Sequence, residues 1–271
     1  MIVVTGATGN VGRLLMAELA AAGERVVGVS RRGAAGVQKG DLTAPESLRA
    51  TMQGARALFV LLAGGGEAVD ADAVLDVAKA GGVERVVLLS SQGVRTRPGA
   101  RSHAPLGAFE AALRGSGLQW TVLRPGGFAS NAYAWAGSIR ERRQAAAPFA
   151  QVALPVVDPA DLAACASVTL RDNHQAQVYE LTGPAPITPR AQVEAIAAAI
   201  GEPVAFRELT RAEAAEQMGR FMPAEVVRGT LDILGSPSAD EQRVSPDVAR
   251  LLGRPARDFA AWAAEHAAAF R

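Results

Sequence analysis

Short apolar runs alternate with amphipathic segments along the first half of the chain. Each run has the length and composition of a buried strand, and the segments between the runs carry apolar residues at helical spacing. Strands that alternate with helices in this way form parallel sheets with right-handed crossovers. The pattern therefore predicts an α/β fold with a doubly wound parallel sheet, built from the apolar runs at residues 2–4, 25–30, 57–62, 85–89 and 120–124.

The alternation becomes less regular beyond Phe128, and this change predicts a second part of the chain. The strand-like and helical segments there are short, with a strand expected at residues 152–157. We therefore expect residues 1–150 to form the sheet domain. Residues 151–271 are expected to form a small C-terminal α/β lobe that covers the substrate, with some segments returning to the sheet.

A glycine-rich turn follows the first apolar run. Gly6, Gly9 and Gly12 are spaced so that the first permits a tight turn, the second lets a pyrophosphate approach the backbone, and the third seats a helix against the strand. An apolar stripe at helical spacing comes next, and the phosphates would lie at the N-terminus of that helix. The sequence thus predicts a Rossmann-type dinucleotide site, formed by the turn residues Gly6, Ala7, Thr8, Gly9, Asn10, Val11 and Gly12.

The residues after the second apolar run select the cofactor. An acidic residue at this distance from the glycines would bind the ribose of NAD, whereas arginine suits the 2'-phosphate of NADP. Arg31 and Arg32 stand there, and we predict NADP(H), although both arginines could instead be solvated surface charges. Asp41 could accept a hydrogen bond from the adenine amino group, or it could equally be a turn or cap carboxylate.

Composition argues against several other classes of protein. The 271 residues are 49% hydrophobic and 20% charged, and the net charge of +1 gives no reason to expect nucleic-acid binding. The single cysteine, Cys165, lies in an apolar run and the three histidines are far apart, so we expect neither a disulfide nor a metal site. Because no apolar run is long enough for a membrane span, we expect a cytoplasmic protein. We expect it to be a monomer or a homodimer.

Polar residues follow the fourth apolar run, at the sheet edge where doubly wound folds bind ligands. The hydroxyls of Ser90 and Ser91 would lie near the nicotinamide, and Gln92 would face the substrate. The loop at residues 94–105 is expected near the active site. The aromatic residues that come later could form a wall for an aromatic or quinone-like substrate, or could pack beneath the lobe. The candidates in this segment are Phe128, Asn131, Tyr133 and Trp135.

Several motifs resemble the NmrA-like branch of the atypical short-chain dehydrogenase/reductase superfamily. They are the glycine turn at residues 5–12, Leu89-Ser90-Ser91, and the segments 116–126, 157–163 and 179–184. The resemblance implies a Rossmann-type domain with a small C-terminal lobe, and NADP(H) bound by the glycine turn and the two arginines. It implies further cofactor contacts at Asp41, Leu42, Leu62, Ala63, Ser90, Pro125, Gly126 and Phe128.

The usual catalytic pair of that superfamily, Tyr-x-x-x-Lys, is missing. Its lysine lowers the tyrosine pKa so that the phenol can protonate a carbonyl oxygen. The only lysines of this chain are Lys39 and Lys79, and its only tyrosines are Tyr133 and Tyr179, so no pair has this spacing. The proton would therefore have to come from another group.

Two functions remain open on the sequence. In the first, the protein is a reductase that passes hydride from NADPH directly to an activated aromatic, quinone or polyketide-type carbonyl acceptor, and His103, Ser91 or water supplies the proton. In the second, it is a non-catalytic NADP(H)-binding redox sensor or regulator of the NmrA type. We favour the reductase, because the aromatic residues after Phe128 resemble a substrate wall and no partner-binding extension is evident.

We predict that the protein binds NADPH more tightly than NADH. Each charge-assisted contact between an arginine and the 2'-phosphate contributes about 1.5 to 3 kcal/mol. Replacing Arg31 and Arg32 together by alanine should therefore remove most of the preference. Titration of both cofactors against the wild type and the double variant measures the effect, and equal affinities in the wild type would contradict the assignment.

Overall fold

A computed structural model describes residues 1–62 and 68–271 of the chain. These residues form two compact units. The first consists of Met1–Pro125, Pro159–Leu181 and Arg250–Gly253, and the second of Gly126–Asp158, Thr182–Ala249 and Arg254–Arg271. The chain therefore leaves the first unit after its first 125 residues and later returns to it.

The first unit is built on a parallel sheet. The strands of the described chain are β1 Ile2–Thr5, β2 Val26–Ser30, β3 Val37–Lys39, β4 Ala57–Leu61, β5 Arg85–Leu89, β6 Gln119–Pro125, β7 Gln144–Pro148, β8 Gln177–Leu181 and β9 Ala205–Leu209. Seven of them form one sheet in the order β3-β2-β1-β4-β5-β6-β8, and every pair is parallel. The order reverses between β1 and β4, at the switch point where such sheets bind ligands. This topology confirms the predicted Rossmann-type α/β fold.

Helices connect the strands, and several begin at a side-chain cap. The α-helices of the described residues are α1 Gly12–Ala21, α2 Arg49–Met52, α3 Ala71–Ala80, α4 Gly93–Thr96, α5 Ala104–Gly115, α6 Ala136–Arg142, α7 Pro159–Arg171, α8 Pro189–Ile200, α9 Arg211–Gly219, α10 Ala224–Gly235, α11 Ala239–Gln242, α12 Asp247–Leu252 and α13 Phe259–Glu265. Asp70 caps α3 and Thr188 caps α8, each by accepting a backbone N–H of the first turn. Within the described residues, none of these helices has both the length and the apolar character that a bilayer span requires.

The apolar runs that predict the strands also form the core of the first unit. Val3 of β1, Leu58 of β4 and Val86 of β5 are completely buried. They belong to one cluster with Leu75 of α3 and Phe109 of α5. Burying a side chain of this size contributes about 1.5 to 3 kcal/mol. The same residues therefore indicate the strands in the sequence and hold the sheet against its helices.

The second unit has a two-stranded parallel sheet and two hydrophobic clusters. β7 pairs with β9. Trp262 and Phe270 are fully buried and pack with Ile196 of α8 in the larger cluster. The smaller cluster includes Leu209 of β9 and Leu231 of α10. The larger cluster is the aromatic core of this unit, and the smaller one holds α9 and α10 to β9.

The predicted strand at residues 152–157 is wrong. Leu154 and Val157 form only isolated bridges, with Ile187 and Phe128 respectively. The strand of this region is β7, which lies earlier in the chain and is rich in alanine, a residue depleted in strands. Pairing with the distant β9 holds β7 in place, and local sequence patterns do not encode that pairing.

Candidate cofactor site and active site

The glycine turn lies between β1 and α1. A Cβ atom on Gly12 would lie 2.1 Å from the carbonyl oxygen of Gly6, so only glycine allows α1 to begin this close to β1. Gly6 has a φ of +66°, a conformation that favours glycine. The N–H of Gly9 donates to the Gly6 carbonyl oxygen at 2.9 Å and closes the turn. The first turn of α1 has no acidic residue and no side-chain cap, so its N–H groups can donate hydrogen bonds to an anion.

A cavity of about 810 Å³ opens beside this turn, and its lining residues all belong to the first unit. Its volume is within the range of small-molecule sites, which is about 300 to 1,000 Å³. The predicted cofactor residues that line it are Gly6, Thr8, Gly9, Arg31, Arg32, Asp41 and Leu42. The glycine turn and the polar residues after β2 therefore face one common space.

The end of β2 supplies the polar part of this cavity. Arg31 and Arg32 are exposed and line it, which is the arrangement that a 2'-phosphate needs. Ser30 also lines it, and the buried Ser30 hydroxyl has no hydrogen-bond partner among the residues that the structure describes. A buried polar atom is unfavourable without a partner. The residues present therefore fit a phosphorylated cofactor, and Ser30 is a candidate that the sequence analysis missed.

Asp41 is a turn carboxylate in the structure. Its Oδ1 accepts a hydrogen bond from the backbone N–H of Thr43 at 2.9 Å. This bond, with a smaller contribution from the charge of Arg31, lowers the pKa of the Asp41 carboxyl below its ordinary value. Asp41 is thus an ionised turn carboxylate that also lines the cofactor cavity.

Other predicted cofactor residues lie around the cavity rather than in its lining. Ala7 and Val11 are buried behind the turn, at 3% and 2% exposure. Leu62 packs against the core of the sheet, and Asn10 is exposed. Ala63, with the three glycines that follow it, lies outside the described residues.

A buried carboxylate connects α5 to the carboxyl ends of β5 and β6. Glu110, which is 1% exposed, accepts a hydrogen bond of 2.6 Å from the Ser90 hydroxyl. Arg124 donates two bonds to it, at 2.9 and 2.6 Å, and Arg114 donates one at 3.0 Å. Burial acts to raise the pKa of Glu110, but the bonds from Arg124 and Ser90 outweigh it, so that the pKa is lowered. The hydroxyl of Ser90, a predicted cofactor contact, is therefore engaged with Glu110.

The residues after Ser90 form a tight turn. The Ser91 hydroxyl accepts a hydrogen bond from the N–H of Gly93 at 3.1 Å. The N–H of Gln92 donates to the carbonyl oxygen of Pro125 at 2.9 Å. The ends of β5 and β6 are thus joined by backbone and side-chain bonds at the edge where a nicotinamide ring lies in folds of this kind.

His103 lies against this turn. A Cβ atom on Gly93 would lie 1.6 Å from Nε2 of His103, so the imidazole packs directly on the Gly93 backbone. The Ser102 hydroxyl is 2.9 Å from the other ring nitrogen, Nδ1. His103 ends a short 3-10 turn immediately before α5. The sequence places His103 only in a loop, whereas the structure brings it against Gly93. Gly93 is a second residue that the sequence analysis missed.

The candidate residues after Pro125 belong to the second unit. Ala129–Trp135 forms a 3-10 segment. Gly126 and Phe128 precede this segment, with the Phe128 carbonyl oxygen accepting the N–H of Asn131 at 3.0 Å. The side chain of Asn131 is exposed.

The two aromatic candidates of this segment have different surroundings. Tyr133 stacks on Phe270, with ring centroids 6.0 Å apart, and meets Trp262 edge-on at 5.2 Å. Trp135 donates its indole N–H to the carbonyl oxygen of Ala146 at 3.0 Å and lines a second cavity. Tyr133 therefore contributes to the aromatic core of the second unit, whereas Trp135 faces a space that a ligand could enter.

Comparison with known proteins agrees with this geometry. Residues 6–172 match the NAD(P)H-binding family. The chain is 35% identical over 287 residues to (4-alkanoyl-5-oxo-2,5-dihydrofuran-3-yl)methyl phosphate reductase of Streptomyces griseus subsp. griseus, over 100% of this chain and 99% of that protein. It is 31% identical over 283 residues to NAD(P)H azoreductase of Xenophilus azovorans, with 100% and 99% covered. Among solved structures, NADPH-dependent quinone oxidoreductase of Escherichia coli, complexed with NADPH, matches with a TM-score of 0.81 at 23% identity, over 98% of this chain and 99% of that one.

The chain therefore belongs to the NAD(P)H-binding family. The two curated relatives that cover the whole chain are both reductases. This result confirms the interpretation of the protein as a nicotinamide-dependent reductase.

Gly9→Val should abolish dinucleotide binding and leave the fold largely intact, because a side chain there would occupy the space of the pyrophosphate. A Cβ atom on Gly9 would be 3.3 Å from the Gly6 carbonyl oxygen, a contact that small shifts can relieve. Gly12→Val is the matched control, since its 2.1 Å clash should also lower the melting temperature. Circular dichroism and cofactor fluorescence separate the two effects. Retained binding in Gly9→Val would mean that the turn has only a structural role.

Glu110→Ala should lower the free energy of unfolding by about 3 to 5 kcal/mol, because it leaves Arg124, whose side chain is only 13% exposed, without its buried carboxylate partner. Glu46→Ala, which removes an exposed partner of Arg49, should change it very little. Urea denaturation measures both variants. Equal stabilities for the two variants would show that the buried network does not stabilise the fold.

The stabilisation by Glu110 should depend on pH. Its pKa is lowered in the folded protein from an ordinary value of 4.5, so the contribution is complete above pH 4.5 and decreases as the pH falls through the folded pKa. The difference in free energy of unfolding between the wild type and Glu110→Ala should therefore become smaller only at acidic pH, below about 4.5. A difference that narrowed at neutral pH would contradict this origin.

Proposed function

We propose that the protein is an NADPH-dependent oxidoreductase that transfers hydride to an activated aromatic, quinone or polyketide-type carbonyl acceptor, without a Tyr-x-x-x-Lys pair. The observation that carries the proposal is the contact of His103 with the turn at the end of β5. The bound cofactor supplies the hydride. The residues of this chain have to bind the cofactor, orient the acceptor and deliver one proton.

The cofactor-binding part of the proposal rests on the cavity of the first unit. The N–H groups at the start of α1 and the glycine turn would hold the pyrophosphate. Arg31, Arg32 and the Ser30 hydroxyl would hold the 2'-phosphate, which is the group that distinguishes NADPH from NADH. Asp41, which lines the same cavity, would accept a hydrogen bond from the adenine amino group.

The choice of acceptor rests on the missing catalytic tyrosine and on the relatives. A conjugated acceptor such as a quinone delocalises the charge that hydride addition creates, so it needs less help from an acid than an isolated ketone does. The relatives are named for an alkanoyl dihydrofuranone phosphate and for azo compounds, and the structural neighbour is named for quinones. All three names describe conjugated acceptors.

His103 is the proposed proton donor. Hydride addition to a quinone leaves one oxygen that needs a proton, and protonation by an imidazolium gives the hydroquinone and a neutral imidazole that regains its proton from water. Imidazole titrates near neutral pH, and a well-placed general acid contributes about 10²- to 10⁴-fold to the rate. Nδ1 of His103 contacts the Ser102 hydroxyl, and Nε2 faces Gly93 in the segment that follows β5. Ser91 would position the acceptor or a water molecule beside it.

His103→Ala should lower kcat/KM for a quinone by at least tenfold and remove the decrease in rate that the wild type shows as the pH rises through the imidazole range. Gly93→Ala is a matched test, because its methyl group would occupy the position of Nε2 and turn the imidazole away without removing it. Both variants should lose activity while NADPH affinity and melting temperature stay close to those of the wild type. Rates are measured from about pH 5 to 9.

A loss below about threefold in His103→Ala, with an unchanged pH profile, would remove His103 from the mechanism. Ser91→Ala identifies whether the neighbouring hydroxyl supplies the proton in that case. If the wild type binds NADPH but oxidises it with none of a panel of quinones, azo compounds and conjugated ketones, the proposed reaction is wrong, and the regulatory function remains.

A further inference from the structure

A second cavity, of about 440 Å³, lies within the second unit. One wall is formed by Trp135 and by Arg142 at the end of α6, and another by β7 and by Arg207 of β9. Arg220 and Phe221, which follow α9, complete it. The cavity is therefore assembled from segments that are distant in the chain, and it falls within the size range of small-molecule sites.

Three arginines from three separate segments of the chain line this cavity. The side chains of Arg142, Arg207 and Arg220 are 63%, 49% and 70% exposed. Each forms one ion pair with a nearby glutamate, at 3.1, 2.9 and 3.1 Å respectively. Exposed pairs of this kind contribute little to stability. An incoming anion could therefore share or replace the glutamate partners at little cost.

The glutamates themselves stay outside the cavity. Glu213 is fixed at the start of α9, where it accepts the backbone N–H of Thr210 at 2.7 Å in a capping box. Its other oxygen meets Arg207. Among the described residues, the side chains that line the cavity include the three arginines and no carboxylate. The lining is therefore cationic, and it favours a negatively charged ligand.

Two aromatic rings complete the site. The indole of Trp135 is held by its hydrogen bond to the Ala146 carbonyl oxygen, so it offers a fixed flat surface. Phe221 is 70% exposed, which is unusual for a large apolar side chain in this protein. Partly exposed aromatic rings gain free energy when a flat ligand covers them. The two rings therefore favour a ligand that is itself aromatic.

We propose that this cavity binds a small aromatic anion, a flat ring system that carries a carboxylate or sulfonate group. The ring would lie against Trp135 and Phe221, and the anionic group would bind Arg142, Arg207 and Arg220. The site belongs to the second unit alone. It does not depend on the proposed hydride transfer, and either could be correct without the other.

The test is a calorimetric titration of 2-naphthalenesulfonate into the protein saturated with NADP⁺, which keeps the probe out of the cofactor cavity. The uncharged 2-naphthalenemethanol is titrated in parallel. We expect the sulfonate to bind with 1:1 stoichiometry and at least tenfold more tightly than the alcohol. The affinity for the sulfonate should fall by about tenfold or more in each of three variants, Arg142→Gln, Arg207→Gln and Arg220→Gln, since each removes a charge-assisted contact.

Control variants distinguish this site from a general charge effect. Arg49→Gln removes an arginine of the first unit that is 51% exposed and pairs with one glutamate, and it should leave the affinity unchanged. Phe221→Ala, which alters an exposed side chain, should lower the affinity for both probes without lowering the melting temperature. The bound sulfonate should also change the fluorescence of Trp135, and Trp135→Phe should remove that change.

The proposal is overturned if the sulfonate and the alcohol bind equally, or if the three arginine variants, folded by circular dichroism, bind like the wild type. It is also overturned if Arg49→Gln lowers the affinity for the sulfonate as much as Arg207→Gln does. The titration contains no electron acceptor and measures no turnover, so an absence of reductase activity would leave its outcome unchanged.

Discussion

The close approach of Gly6 and Gly12 is the constraint on which the cofactor cavity depends. Because a Cβ atom on Gly12 would lie 2.1 Å from the Gly6 carbonyl oxygen, α1 can start directly behind β1 only with glycine at this position. That start places the open N-terminus of α1 at the switch point between β1 and β4. The polar residues that follow β2 then face the same cavity. Cofactor binding is thus a consequence of how closely one helix packs on one strand.

The candidate active-site edge depends on a different interaction, a carboxylate buried among arginines. Glu110 binds Ser90 and Arg124, and so it holds α5 against the ends of β5 and β6. His103 immediately precedes α5 and Gly93 follows β5. A helix held in this way keeps the imidazole against the turn, which would explain why charged residues occupy a buried position at a cost in desolvation.

The sequence predicted most of the first unit, because its buried parallel strands are continuous apolar runs and its glycine turn has few alternative meanings. β3 and β7 were not predictable in this way, since β3 is short and mostly exposed and β7 is an alanine segment paired with the distant β9. At the site, the spacing of the glycines and the two arginines indicated the cofactor cavity. The contact of His103 with Gly93 could not be predicted, because it depends on how the loop folds back on β5. The sequence contained one sign of the hydrogen-bond network around Glu110. This sign is Arg124, a charged residue inside an otherwise apolar strand.

The central claim, that the cofactor bound by this chain is a hydride donor, is tested most directly with NADPH deuterated at C4 of the nicotinamide. Single-turnover oxidation by a quinone is followed with the 4R and 4S isotopologues separately. The account predicts a primary isotope effect for one isotopologue only, because the proposed site would hold the nicotinamide with one face toward the acceptor. Equal rates for both isotopologues and unlabelled NADPH, or no oxidation in a protein that binds NADPH tightly, would contradict it.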